Sequence, residues 1–352
     1  MKTQFWRDAV SRLLAVTLIG LSLAAAPPLA IAEESNSPPE WLSCPDATSI
    51  DRRPDRDPAR VRDIAPSAGR ASSRELYGHA RFAGVAYDLY AAFDAGQDPR
   101  VAFAHPDLQL VGLIYGVPGL NTERRRGSHS TRTLYGFVAD EPTTGRRYVV
   151  FRGTQQPAEW ARNIQAGRRS YPAGARGGHA RVHAGFFNIF ESLELDTGSG
   201  AVPFANALPG LVAGRDTVFV GHSLGSALAT FAGVEASRRA PASAQRLRIV
   251  TLASPRVGNA PFAELARAVG RIDRVCNLVD IVTGVPPSTR QELYVHVGTP
   301  FRVSSFDWPG LVNDLEGAGD QILCWHSDQA YAYMLDPSHV RRQPTQCFRP
   351  AG

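Results

Sequence analysis

The stretch Thr217 to Ala236, TVFVGHSLGSALATFAGVEA, places a serine in a setting that can make it a nucleophile. Val218 to Val220 is a short, β-branched apolar run, which predicts a buried strand. The chain then turns through Gly221-His222-Ser223-Leu224-Gly225 and continues into alanine-rich sequence, which predicts a helix. This is G-x-S-x-G between strand and helix, where a strained turn lifts the hydroxyl above the sheet edge. Glycines flank the turn because side chains there would collide with the adjacent strand and helix. The backbone N–H of Leu224, first in the new helix, points to where negative charge would develop on a substrate. The plain alternative is a glycine-rich turn with an incidental serine.

A serine hydroxyl needs a base to take its proton, and the base needs an orienting acid. Behind a G-x-S-x-G elbow the chain order is serine, acid, histidine. Three histidines follow Ser223: His296, His326 and His339. His296 lies in the alternating stretch YVHVG, and His339 stands among Arg and Pro near the C-terminus. His326, in CWHSDQAYAYML, is expected to open a helical segment after a loop, where its ring can swing over the sheet edge. Spacing leans towards His326 and leaves the other two open. Among acids, Asp280 in VCNLVDIVTGVPP ends an apolar run, read as a strand from Val275 to Val282, before a Gly-Pro-Pro loop. A charge there is costly unless hydrogen-bonded. Asp280 as a simple turn cap is the alternative, and Asp273, at the other end of the strand, is the weaker acid. A second oxyanion donor is expected after another central strand. FRGT follows RYVV, so Thr154 can offer its backbone N–H and hydroxyl there.

These residues need a scaffold. Phe82, Val85, Ala86, Leu89 and Phe93 recur at helical spacing, predicting a helix that ends at Gly96. Gln109 to Val117 reads as a strand. Thr133 to Ala139 and Arg147 to Phe151 read as a strand pair joined by EPTTGR. Further on, a helix is expected over 183–193, a strand over 217–220 and a helix over 223–238. A strand over 247–253, a helix over 261–269 and the strand over 275–282 complete the alternation. It predicts an α/β fold with a mostly parallel central sheet and helices on both faces.

Upstream, residues 1–32 combine Lys2, Arg7 and Arg12, an apolar run and Ala30-Ile31-Ala32, the pattern of a secretory signal peptide. An uncleaved anchor is the alternative. Residues 33–74 form a charged, proline-rich N-terminal arm, and 75–352 form one catalytic domain. The chain has 352 residues, 43% hydrophobic, with formal net charge +5, which falls to +3 without residues 1–32. That charge is too modest to argue for a nucleic-acid partner. No second stretch is long and apolar enough to span a membrane after signal cleavage. Cys44, Cys276, Cys324 and Cys347 allow three disulfide pairings in an oxidising compartment, extracellular or periplasmic. Their spacing does not suggest a metal site, and no cofactor is expected.

FRGT, Trp160 six residues beyond Thr154, VHAGF, GHSLG, ASPRVGN, NLVDIVTGVPP and YVHVG occur in this order. Together they resemble the class 3 lipases, the family of the filamentous-fungal triacylglycerol lipases, over about residues 75 to 335. The resemblance implies an α/β-hydrolase fold, with Ser223 as nucleophile, Asp280 as orienting acid, His326 as base, and Thr154 and Leu224 as the oxyanion hole. It implies a helical lid over about 155–180, with Trp160 and Ile164 contributing to lid and substrate contact, and a lipid or small-ester substrate met in transient contact with a lipid surface. It also implies a Cys44–Cys347 bridge tying the chain ends. Two features depart from the family pattern. The lid segment is polar, holding Arg162, Arg168, Arg169 and Arg176 beside Trp160, Ile164 and Tyr171, and Trp325 stands where the family often has an acid. The expected activity is hydrolysis of acylglycerols through an acyl-enzyme. A phospholipase A1, a feruloyl-type or short-chain esterase, and a catalytically silent lipid-binding or adaptor protein are the alternatives.

Overall fold

Along each central strand, neighbouring side chains enter different cores. In β3 (Arg146–Phe151), Tyr148 and Val150 join one apolar cluster while Val149 and Phe151 join the other. The same alternation holds in β8 (Thr217–His222), where Phe219 faces one side and Val218 and Val220 the other. Continuous apolar strands of this kind belong to sheets covered on both faces. The computed structural model describes residues 71–117, 132–154, 167–172, 178–286, 294–308, 310–313, 318–338 and 347–348. The segment expected as a signal peptide, all but the last four residues of the expected arm, and Trp160, Ile164 and His339 lie outside the described residues.

The main sheet also contains β1 (Gln109–Gly116), β2 (Thr133–Glu141), β6 (Glu194–Asp196), β7 (Ala201–Pro203), β9 (Leu247–Leu252), β10 (Arg271–Asn277) and β11 (Thr299–Val303). Its nine strands run in the order β11-β10-β9-β8-β3-β2-β1-β6-β7. The five strands from β11 to β3 are parallel, and the remaining pairs are antiparallel. This is the architecture of the α/β-hydrolase fold. One face is covered by α1 (Ser73–Ala80), α2 (Phe82–Asp94) and, late in the chain, α8 (Asp328–Leu335), through Leu76, Phe82, Leu89, Tyr331 and Leu335. The other carries α3 (Ala184–Glu191), α4 (Phe204–Val212), α5 (Leu224–Arg239) and α6 (Ala260–Leu265). Another helix, α7 (Ala318–Trp325), leads into α8. Among the described residues no helix is long and apolar enough to cross a membrane.

α5 is the helix behind the elbow, and its residues are buried without a break from Leu224 to Ser237. Small residues make that possible. A Cβ on Gly233 would stand 2.5 Å from Ile249 Cδ1 of β9, so the isoleucine side chain packs directly on the helix backbone. The one acid in α5, Glu235, is buried, which works against its charge, but Arg239, Arg238 and the Tyr171 hydroxyl hold its pKa below the ordinary value.

Several expectations are corrected. The strand expected over 275–282 is β10, Arg271–Asn277, so Asp273 lies inside it and Asp280 beyond its end. Asp273 is tied to Arg248 and Arg271, which lets a charge sit within the ladder. Asp280 Oδ1 accepts the Val282 N–H at 3.0 Å, closing a turn that takes the chain out of the sheet. His296 is in no ladder; it is buried and its Nε2–H donates to the Thr283 carbonyl at 2.8 Å. His183 caps α3 instead of belonging to it. Cys347 pairs with Cys324, not Cys44, at a Cα separation of 5.0 Å. The bridge therefore staples the C-terminal segment to α7 next door, and Cys276 is disulfide-bonded as well. Of the expected lid, 155–166 and 173–177 lie outside the described residues. Within the rest, β4 (Arg168–Ser170) pairs antiparallel with β5 (Arg181–His183). Tyr171 is core, not lid surface: it is buried against Phe187 and Phe262, with its hydroxyl on Glu235 at 2.8 Å.

Candidate active site

Ser223 sits between β8 and α5 at φ 56 and ψ −125, a left-handed-side conformation that a non-glycine residue adopts only when its surroundings impose it. The surroundings do. The Ser223 N–H donates to Leu252 O of β9 at 2.9 Å, and Ser226 Oγ lies 2.8 Å from both Gly221 O and Leu252 O. A Cβ on Gly225 would press on the Arg152 carbonyl, and one on Gly221 on the Gly225 carbonyl. Both glycines of the motif are thus required by close approach of backbones.

The hydroxyl of Ser223 donates to His326 Nε2 at 2.7 Å, and His326 Nδ1–H donates to Asp280 Oδ2 at 2.9 Å. The three sequence-predicted residues come from three separate places: the elbow, the loop after β10 and the junction between α7 and α8. His326 does not open a helix after a loop, as its sequence suggested, but stands between two helices. The Asp280 side chain is wholly buried and that of His326 is 15% exposed, so solvent reaches the imidazole and not the acid. A buried carboxylate must be satisfied by donors. Oδ1 takes the Val282 N–H, and Oδ2 takes both His326 and the Tyr331 hydroxyl at 2.8 Å. Burial, then the Asp280 charge, push the Tyr331 phenol well above its ordinary pKa, so it remains a donor. Tyr331 is held in turn by the Asn277 N–H at 2.9 Å, and Asn277 Nδ2–H donates to the Trp325 carbonyl at 3.0 Å.

Thr154 follows β3, and Phe151 of that strand pairs with Gly221 of β8, which brings the FRGT turn beside the elbow. Gly153 fits where nothing larger can. A Cβ there would stand 2.8 Å from Ser223 Cβ and 2.9 Å from His222 O. The Gly153 carbonyl accepts from Arg152 Nη1 at 2.7 Å. In a trans peptide the N–H points away from the preceding C=O. Arg152 therefore fixes the direction of the Thr154 N–H and polarises that donor. The guanidinium is buried, lies 3.8 Å above the Tyr90 ring, and gives its other bonds to Leu134 O and Thr133 Oγ1. All are neutral acceptors, so a full positive charge sits one peptide from the expected oxyanion. The Thr154 hydroxyl is itself buried with no partner among the described residues. Leu224 is buried at the start of α5, adjoining Ser223. Ser223, His326, Asp280, Thr154 and Leu224 thus belong to one locality, while Trp160 and Ile164 are outside the described residues.

Four participants carried no sequence signal strong enough to find them. Tyr331 is one tyrosine in AYAYML, and Asn277 fell inside the strand expected over 275–282. His222 occupied a variable position of the motif, and Tyr87 lies 135 residues before it, on α2.

Residues 148–290 match the family model described as Lipase (class 3). Over 318 residues the chain is 27% identical to a phospholipase A1, EG1, of Oryza sativa subsp. indica, an alignment covering 85% of this chain and 68% of the relative. It is 33% identical to a lipase of Rhizopus niveus over 156 residues, 44% of this chain and 38% of that protein. The chain thus spans well under half of the fungal relative's length. A solved lipase structure from Rhizopus microsporus var. chinensis is similar at TM-score 0.47 and 23% identity, covering 68% of this chain and 76% of the other.

Proposed function

From a chain that matches the class 3 lipases over residues 148–290, we propose a serine carboxylic-ester hydrolase that cleaves acylglycerols through an acyl-enzyme. The observation that carries this reading is the hydrogen-bond line from Ser223 through His326 to Asp280, set on a strained elbow. In the first half-reaction Ser223 Oγ attacks the ester carbonyl carbon while His326 Nε2 takes its proton. The tetrahedral oxygen is held by the N–H groups of Thr154 and Leu224. The C–O bond to the alcohol breaks, and His326 returns the proton to the departing oxygen. Water, deprotonated by the same imidazole, then releases the fatty acid and restores Ser223. Asp280 keeps the Nδ1–H tautomer and stabilises the imidazolium without itself taking the proton. Work outside the cell, at a lipid surface, fits the signal-like residues 1–32 and the disulfides.

The second reading is a phospholipase A1, favoured by the long alignment to the rice enzyme. Hydrolysis of short- and long-chain p-nitrophenyl esters, emulsified triacylglycerol and phosphatidylcholine by wild type, Ser223→Ala and His326→Ala tests both. Both variants should lose at least about 10³-fold in kcat on every substrate the wild type cleaves. Preference for triacylglycerol over phosphatidylcholine supports the first reading, and the reverse supports the second. A folded wild type inert on all of them, or a Ser223→Ala protein of undiminished rate, rejects the hydrolase.

A further inference from the structure

Beside the nucleophile, a second set of hydrogen bonds crosses the site without touching Ser223 Oγ or Asp280. The Gly153 N–H donates to the Tyr87 hydroxyl oxygen at 2.9 Å. That hydroxyl stands 2.7 Å from His222 Nδ1, and His222 Nε2 stands 2.7 Å from the backbone carbonyl of His326. The directions are determined by chemistry. A carbonyl only accepts, so the His222 proton is on Nε2. Burial, and next the neighbouring His326, push the His222 pKa well below its ordinary value, so Nδ1 is bare and accepts the Tyr87 O–H. The Tyr87 oxygen accepts in turn from Gly153. The line runs one way: Gly153 N–H to Tyr87, Tyr87 O–H to His222, His222 Nε2–H to His326 O.

We propose that Tyr87 and His222 are positioning residues that fix the distance between the oxyanion loop and the catalytic imidazole, an inference that rests on the hydrolase reading above. The two groups they join belong to segments far apart in the chain. Gly153 is in the loop after β3 and His326 at the α7–α8 junction, 173 positions apart in the sequence. Both must stay in place while the ester carbon is attacked, because Thr154 has to meet the oxygen as His326 takes the proton. Each end is clamped on both sides. Arg152 holds the Gly153 carbonyl while Tyr87 holds its N–H. Asn277 holds the Trp325 carbonyl while His222 holds that of His326. The packing matches: a Cβ on Gly153 would run into the Tyr87 oxygen, and the His222 ring lies 4.9 Å from the His326 ring and 5.8 Å from that of Tyr87. These bonds end on the Gly153 N–H and the His326 carbonyl and not on the nucleophile, so their loss should act on kcat and leave binding alone.

The test compares Tyr87→Phe, His222→Gln and His222→Leu with wild type on p-nitrophenyl butyrate, measuring kcat, KM and Tm. Tyr87→Phe keeps the ring and removes the middle of the line. His222→Gln carries an amide N–H to the position of Nε2 and so keeps the donor to His326 O, whereas His222→Leu keeps only bulk. The expected result is a fall in kcat of about 10- to 30-fold for Tyr87→Phe and His222→Leu with KM within about twofold. That is smaller than the 10²–10³ seen when an oxyanion donor is deleted outright, since the donors remain and only their placement loosens. His222→Gln should recover about tenfold over His222→Leu, with all three proteins melting within a few degrees of one another. Amide hydrogen exchange at Gly153 should speed up in Tyr87→Phe, a change that does not depend on activity. Tyr87→Phe within twofold of wild type, or His222→Gln no better than His222→Leu, overturns the proposal. So does a loss that tracks KM or Tm. An inert but folded wild type fails the hydrolase reading and takes this inference with it; an active wild type with indifferent variants fails this inference alone.

Discussion

In the proposed reaction Tyr331 and Arg152 would each act through one neighbour. Tyr331 gives its O–H to the same oxygen of Asp280 that holds His326. Replacing it with phenylalanine leaves a buried carboxylate one donor short, and such a deficit is worth roughly 1–3 kcal/mol. The carboxylate is then less well placed, so Tyr331→Phe should lower kcat about tenfold with KM nearly unchanged. A steady-state comparison on a soluble ester checks this; equal kcat values would mean that Val282 N–H and His326 alone hold Asp280. Arg152 is a different case, since its fork reaches Leu134 O and Gly153 O together. A lysine has the charge but not the fork. Arg152→Lys should therefore fold less stably and lose about 10- to 100-fold in kcat, more than Tyr331→Phe. If single-turnover acylation is as fast as in wild type, the guanidinium serves packing and not the oxyanion donor.

At the scale of elements, the site depends on three connections being held still: the elbow, the loop after β10 and the α7–α8 junction. The last is braced by Cys324–Cys347, with Cys324 two residues before His326. A bridge of sequence separation 23 is worth about 3 kcal/mol in the chain-entropy account. The double variant Cys324→Ser/Cys347→Ser should thus unfold at lower denaturant. It should also lose activity before global melting, because the loosened element carries the base. Coincident loss of activity and of near-ultraviolet ellipticity on heating would contradict that. These elements also show what sequence can reveal. The elbow was legible because strand, turn and helix are contiguous and the two glycines have one backbone reason to exist. The strand ending before Asp280 was misplaced because Leu278, Val279, Ile281 and Val282 are as apolar as a strand. What ends the strand is a carboxylate–amide bond, Asp280 to Val282, which periodicity does not register. The Cys347 pairing and the Tyr87–His222 contacts were illegible for a common reason. Each is a meeting of distant segments decided by how the layers pack, and nothing local in the chain encodes the partner.

Over the whole molecule, acid stability is set by buried groups that the folded state will not let titrate normally. His79, His222 and His296 are each at most 5% exposed. Burial first, then nearby cationic groups such as Arg248 at His79 and Arg274 at His296, push their pKa values down, His79 to about 3 and the others well below 6.5. In the unfolded chain all three take up protons near pH 6.5. Below that value the unfolded state binds more protons than the folded one, so stability falls as pH falls; above it the contribution is complete. His79 then costs about 2 kcal/mol by pH 5, at 1.36 kcal/mol per pH unit, and His222 and His296 act in the same direction. Asp328 has the opposite sign. Burial raises its pKa to about 6, so the folded state holds a proton there that the unfolded chain releases above about pH 4, and acidification from 7 to 5 relieves about 1 kcal/mol of strain. Three histidines outweigh one carboxyl. Tm should therefore drop by several degrees between pH 7 and pH 5, before carboxylates such as Asp140 and Glu75, held low by Arg147 and Arg248 against the cost of burial, begin to protonate. His79→Gln should be less stable at pH 7, because one of the contacts to Tyr148 and Arg248 is lost. Its Tm should nevertheless decline more slowly with acid, by about one proton's worth of slope. Asp328→Asn should melt higher than wild type at pH 7.5 and equally at pH 4. Parallel Tm–pH curves for His79→Gln and wild type would show that His79 protonates in place, without unfolding.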